Sequence, residues 1–164
     1  MTIKEIEELL IETLKDELPL LGVSVESNTV RSYDGRFDDE ALANQIVAKD
    51  KVIMVDVEEL RFDVRESSED VYITNYSASV SIFVGLATVT ERGSTHYEAI
   101  DVCRRVLQVL FKKSPQITEL DDVRTSLRRM MPSRTGAIQK VFQTTSGYTV
   151  ARLDVEFKLL ETWK

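Results

Sequence analysis

The order of hydrophobic periodicities predicts an α+β fold: a mainly antiparallel four-stranded sheet with two helices packed on one face. Two stretches, about 3–16 and 95–112, repeat apolar residues every three or four positions, as an amphipathic helix does. Stretches at about 51–64, 71–88 and 148–161 alternate apolar and polar residues, as a half-buried strand does. The connections are short enough for 51–64 to pair with 71–88, and for a strand at 136–145 to pair with 148–161, as hairpins. The 164 residues are read as one domain, 1–164, with an extended polar arm or loop at about 22–50.

Thr2-x-x-Glu5 has the spacing of a capping box at the start of the first helix. Ile3, Ile6, Leu10 and Leu14 form its apolar stripe, and Pro19 and Gly22 lie beyond its end. Val23-Ser24-Val25 suits a short edge strand, Asp34-Gly35 a turn, and Asp39 to Ala48 a short helix. In the next segment Ile53, Val55 and Val57 share one parity, while Leu60, Phe62 and Val64 take the other. A switch at Glu58-Glu59 marks a β-bulge or bend. Arg65 to Asp70 reads as a polar connector to the alternating run Tyr76 to Leu86. Thr95-x-x-Glu98 is a second capping box, followed by Tyr97, Ile100, Cys103, Leu107, Leu110 and Phe111 on one helical face. The clearest strand is the last, with Ala151, Leu153, Val155, Phe157 and Leu159 alternating with Arg152, Asp154, Glu156 and Lys158. The expected core is Val80, Ile82, Ile100, Cys103, Leu107, Leu153, Val155 and Phe157.

Composition excludes several classes of protein. With 43% hydrophobic and 30% charged residues, the chain is globular rather than disordered. One Cys allows no internal disulfide, and one His no His-based metal cluster. No apolar run approaches the roughly 20 residues of a helical membrane span, and the acidic, amphipathic start is unlike a signal peptide. The net charge of -7 argues against generic duplex-DNA binding. That charge is divided unevenly. Residues 1–99 carry 21 acids and 9 bases, whereas residues 100–164 carry 7 acids and 12 bases. Val123 to Lys140 contains Arg124, Arg128, Arg129, Arg134 and Lys140 and no acid. Such a strip suits a self-complementary subunit contact or an anionic partner.

Residues that could carry catalysis read better as structure. Asp56 and Glu58, with Glu156-x-Lys158, contain parts of a metal-dependent nuclease pattern, which needs paired carboxylates and a Lys near the attacking water. Alternating strands generate such pairs constantly, and nothing in the sequence brings Asp56 near Glu156. Cys103 stands beside Arg104 and Arg105, but its helical spacing places it on the apolar face. His96 has no Ser, Cys or Asp partner in a catalytic pattern, and Gly85, Gly93 and Gly147 make no phosphate-cradling motif. The expectation is a non-enzyme with no cofactor and no metal.

Taken together, these segments resemble the phage Mu-type tail terminator family, which also occurs in Mu-like prophages. The resemblance runs from the Ile3–Leu14 helix and Val25-Glu26-Ser27, leading into the Asp-Gly loop, through Val52-Ile53-Met54-Val55 and Phe83-Val84-Gly85-Leu86. It continues in the helix Tyr97 to Leu107 and in the closing strand Ala151 to Phe157. It implies a structural tail-completion protein that forms a homo-oligomeric, usually hexameric, ring. Such a ring caps the tail tube, stops its polymerisation and offers the surface that docks to the head. The implied partners are further copies of the chain, tail tube and sheath proteins and head connector proteins, with no membrane. The implied location is the host cytoplasm during assembly and then the virion tail. The alternative is another phage neck or head–tail joining protein, or a non-phage protein-binding module of the same fold. The residues expected at a subunit interface or the lumen are Arg124, Arg128, Arg129 and Arg134, with Asp34, Asp38, Asp39 and Glu40 as the negative side. In the lumen, the arginines would touch passing DNA non-specifically.

Overall fold

A computed structural model describes residues 2–33, 51–68, 71–86, 92–112, 125–138, 142–143 and 149–163. The elements are α1 (Ile3–Glu17), a 3-10 turn (Pro19–Leu21), β1 (Val30–Ser32), β2 (Lys51–Ser68) and β3 (Val71–Leu86). They continue with α2 (Arg92–Lys112), β4 (Thr125–Ile138), β5 (Phe142–Gln143) and β6 (Thr149–Trp163). The fold class is α+β, but the sheet differs from expectation. Among the described residues it has six strands rather than four, in the order β1-β2-β3-β6-β4, with β5 also on β6. It is also mixed, because β1 runs parallel to β2 while every other pair is antiparallel.

Pairing of β2 with β3 follows the expected hairpin, and the parity switch is a bulge: Val57 faces Val80, Glu59 faces Ser79, and Glu58 is the extra residue. The polar connector expected from Arg65 is mostly strand, since pairing runs on to Ser68 and Val71. Of the strand expected at 136–145, residues to Ile138 belong to β4, which begins earlier at Thr125, and Phe142 and Gln143 form β5; the rest lies outside the described residues. The early edge strand is Val30–Ser32 rather than residues 23–25. The helix expected at 39–48 lies outside the described residues.

Both helices pack on one face of the sheet. Across the ladder Ile53, Val84 and Ala151 lie abreast, then Val55, Ile82 and Leu153, then Val57, Val80 and Val155. These rows share one buried cluster with Ile6, Leu10 and Leu14 of α1 and with Ala99, Cys103 and Val106 of α2. Phe157 lies beside Ala78 on β3 and Pro132 on β4, small neighbours in the ladder for a large ring, and is fully buried. Ile100 and Leu107, expected in the core, are half-buried. Tyr97 is 77% exposed, so the apolar stripe of α2 begins at Ala99.

The Thr2 capping box forms as its sequence predicts: Thr2 Oγ1 accepts from the Glu5 N–H, and a Glu5 carboxylate oxygen accepts from the Thr2 N–H at 2.6 Å. Those bonds hold the Glu5 carboxyl below the ordinary carboxylate range. The second box does not start its helix, because α2 already begins at Arg92. Two side chains tie the helices to their surroundings. Arg105 of α2 donates to the Leu21 carbonyl beside Gly22, whose φ of 78° is left-handed, and also pairs with Asp101 at 2.9 Å. Glu7 of α1 takes over where β1 stops. Its carboxylate accepts the Val57 N–H at 3.3 Å and the Ser32 hydroxyl at 3.0 Å, so a helix side chain satisfies the next donor on the β2 edge.

Candidate functional site

The basic strip lies on the outermost strand. Arg128, Arg129 and Arg134 all belong to β4, which ends the sheet on the β6 side. Arg128 falls in the register shift between Leu127 and Arg129, and Arg134 in the one between Pro132 and Gly136. Bulged positions of this kind are typical of sheet edges. Arg124, Asp34, Asp38, Asp39 and Glu40 lie outside the described residues. At the far end of the sheet, α1 packs on β1 and β2 and carries six acids against two bases. β4 carries three bases and no acid. Among the described residues, then, the acidic α1 lies at one end of the sheet and the basic β4 forms the other.

A second polar group stands on the face of the sheet opposite the helices, and sequence reasoning did not assemble it. Ser81, itself buried, is its centre. The Ser81 hydroxyl lies 2.7 Å from Glu58 Oε1 and 2.8 Å from Asp154 Oδ1, and accepts from Arg152 Nη2 at 2.9 Å. Arg152 also donates from Nε to Asp154 at 2.7 Å and from Nη2 to Glu58 at 2.9 Å. Its guanidinium carbon sits 5.6 Å from the centre of the Phe83 ring, and Tyr33 leans on that ring at 4.7 Å. Glu58 shares the parity of Asp56, so alternation already places it on this face, and the bulge leaves it as the unpaired residue between Val57 and Glu59.

Asp56 faces Ser81, which in turn faces Asp154. Burial raises the Asp56 carboxyl above its usual range, the Glu58 and Glu7 charges add to this, and Arg152 opposes it. The hydrogen bond to Asp154 is the main reason that the Arg152 guanidinium is held above its ordinary value. Around this group is a shallow depression of about 340 Å³ lined by Glu58, Ser79, Ser81, Arg152, Asp154 and Glu156.

The register therefore brings Asp56, Glu58, Glu156 and Lys158 onto one face, although no sequence signal did so. Glu58 and Asp154 are committed to Arg152 and Ser81. Among the described residues no group of three or more acid, His or Cys side chains is placed to hold a metal ion. Physically, Arg152 neutralises carboxylates on two strands, Glu58 of β2 and Asp154 of β6, and Ser81 of β3 links them by hydrogen bonds. Cys103 is buried, and desolvation pushes its thiol up to about 12, the behaviour of an inert core thiol. Among the described residues, no helix is long and apolar enough to cross a membrane. No family model matches the chain, and no curated protein matches it.

Proposed function

We propose that the chain is a structural tail-completion protein, a ring-forming tail terminator that caps a tail tube and presents the head-docking surface. The observation that carries this reading is the charge polarity of the sheet, with an acidic α1 end and an acid-free basic strand, β4, at the opposite end. A closed ring requires a heterologous contact, in which one surface of a subunit meets a different surface of its neighbour. Opposite charges on the two surfaces speed the correct encounter and penalise like-to-like pairing. The resemblance of the sequence to tail terminators supplies the biological setting. Tail tube, sheath and connector proteins are the proposed partners, with the host cytoplasm and then the virion tail as the location.

In the proposed ring, Arg124, Arg128, Arg129 and Arg134 form the positive side, and Asp34, Asp38, Asp39 and Glu40 the negative side. Charge exchange tests the pairing. Arg128→Glu with Arg129→Glu should abolish rings in electron micrographs, and adding Asp38→Arg with Asp39→Arg should partly restore them. Rings that survive the arginine exchange would place those arginines in the lumen, against passing DNA, instead of at the subunit contact.

A further inference from the structure

Beyond Ser32 the outer edge of β2 has no strand beside it among the described residues, although β2 continues to Ser68. The backbone phase of that edge follows from three bonds. Ile53 N–H donates to Thr29 O, Tyr33 N–H to Val55 O, and Val57 N–H to Glu7, so residues 53, 55 and 57 turn their polar groups outward. In an antiparallel ladder this alternates residue by residue. The extra residue at Glu58 shifts the alternation by one, so that 60, 62 and 64 face outward beyond the bulge.

The side chains on this edge form a pattern that complements itself. Glu59, Arg61, Asp63 and Arg65 are all exposed and lie on the face away from the helices. Their signs alternate, and read in the reverse direction the sequence of signs is inverted. Phe62, on the other face, leans on Tyr76 at 5.4 Å yet remains 55% exposed. We propose that β2 of one copy pairs antiparallel with β2 of a second copy about a twofold axis at Phe62, joining the two sheets. Arg61 then faces Asp63 of the second copy and Glu59 faces Arg65, so every directly opposed charge meets its opposite. The two Phe62 residues exchange backbone bonds and cover each other's exposed rings. Within one chain, Glu59–Arg61 and Asp63–Arg65 are exposed pairs at 3.0 Å that contribute little alone. Cross-strand placement gives each charge a second partner.

This contact is isologous and uses a surface separate from the basic strand, so it does not depend on the ring reading. Sedimentation of the full chain carrying Arg128→Glu and Arg129→Glu, which removes the proposed ring contact, isolates it. The expected species is a dimer. Adding Arg61→Asp sets like charges opposite at two symmetry-related places and should raise the dimer dissociation constant at least about tenfold. Further addition of Asp63→Arg should recover most of that loss. Phe62→Cys should oxidise to a disulfide-linked dimer, because directly opposed Cα atoms lie within disulfide reach. Leu60→Cys should not, since position 60 faces 64 in this register; buried Cys103 leaves the readout clean. A monomer at every concentration would show an edge kept free by its own charges. That outcome, dimers indifferent to Arg61→Asp, or equal cross-linking at positions 60 and 62 would overturn the proposal. Loss of the dimer with rings intact, or the converse, separates this contact from the ring.

Discussion

Truncating Phe157 to alanine probes the packing on which the sheet depends. The ring is fully buried, in register with Ala78 on one side and Pro132 on the other, within the cluster that both helices share. For a ring so fully enclosed both the transfer loss and the cavity loss apply. A buried Phe→Ala change costs about 3–5 kcal/mol. For a chain of this length each kcal/mol lowers Tm by about 2–4 °C, giving an expected fall of about 6–20 °C. Urea unfolding should show the same loss in its midpoint with an unchanged slope. Lys158→Ala, one residue on and exposed, is the control and should stay within about 0.5 kcal/mol of wild type. A fall in Tm below about 2 °C for Phe157→Ala would refute the assignment of this strand's apolar face to the core.

Glu7→Ala should cost about 1 kcal/mol and speed hydrogen exchange at the Val57 amide ahead of its neighbours in β2; unchanged exchange would mean that the carboxylate does not cap the edge. The Cys103 thiol ionises near pH 8.5 when unfolded and near 12 when folded, so between those values the folded state holds the extra proton and stability falls as pH rises. The stability difference between wild type and Cys103→Ala should therefore change by about 1.4 kcal/mol per pH unit above pH 8.5, to the disadvantage of wild type, and a constant difference would contradict the burial. Asp56 has a raised carboxyl pKa in the fold, so its ionisation destabilises the native state as pH rises through that value. Asp56→Asn should raise the urea midpoint at pH 7, with the gain shrinking towards pH 3; a loss at pH 7 would show that Arg152 outweighs the burial and the like charges.

The elements legible in the sequence were those whose local signals and tertiary environment agree. The Thr2 box, the stripe Ile6, Leu10 and Leu14, the hairpin of β2 with β3 and the alternation of β6 each bury the face that their periodicity marks. Even the bulge was readable, because a one-residue slip leaves a parity change at Glu58. β4 was not. Pro132, Gly136 and three arginines break its alternation, and its pairing with β6 depends on two register shifts that a sequence does not announce. The parallel strand β1 is only three residues long, too short for a period, and depends on contacts with β2 and α1. Thr95 and Glu98 have the spacing of a cap, but that spacing is also one helical turn, and α2 continues through it. The group around Ser81 shows the same limit. Arg152 and Asp154 are two apart on β6, but their bonds to Ser81 and Glu58, and that of Ser81 to Glu58, span 23 to 94 positions, and only cross-strand register makes them.

The proposed function stands or falls on tail assembly. Electron microscopy of tails assembled with and without the chain measures it directly. With the chain present, tubes should have one uniform length, with annular density at the end that joins the head. Without it, tubes should overrun to many lengths and join no heads. Tubes of the same length, joined to heads equally well in both cases, would contradict the account.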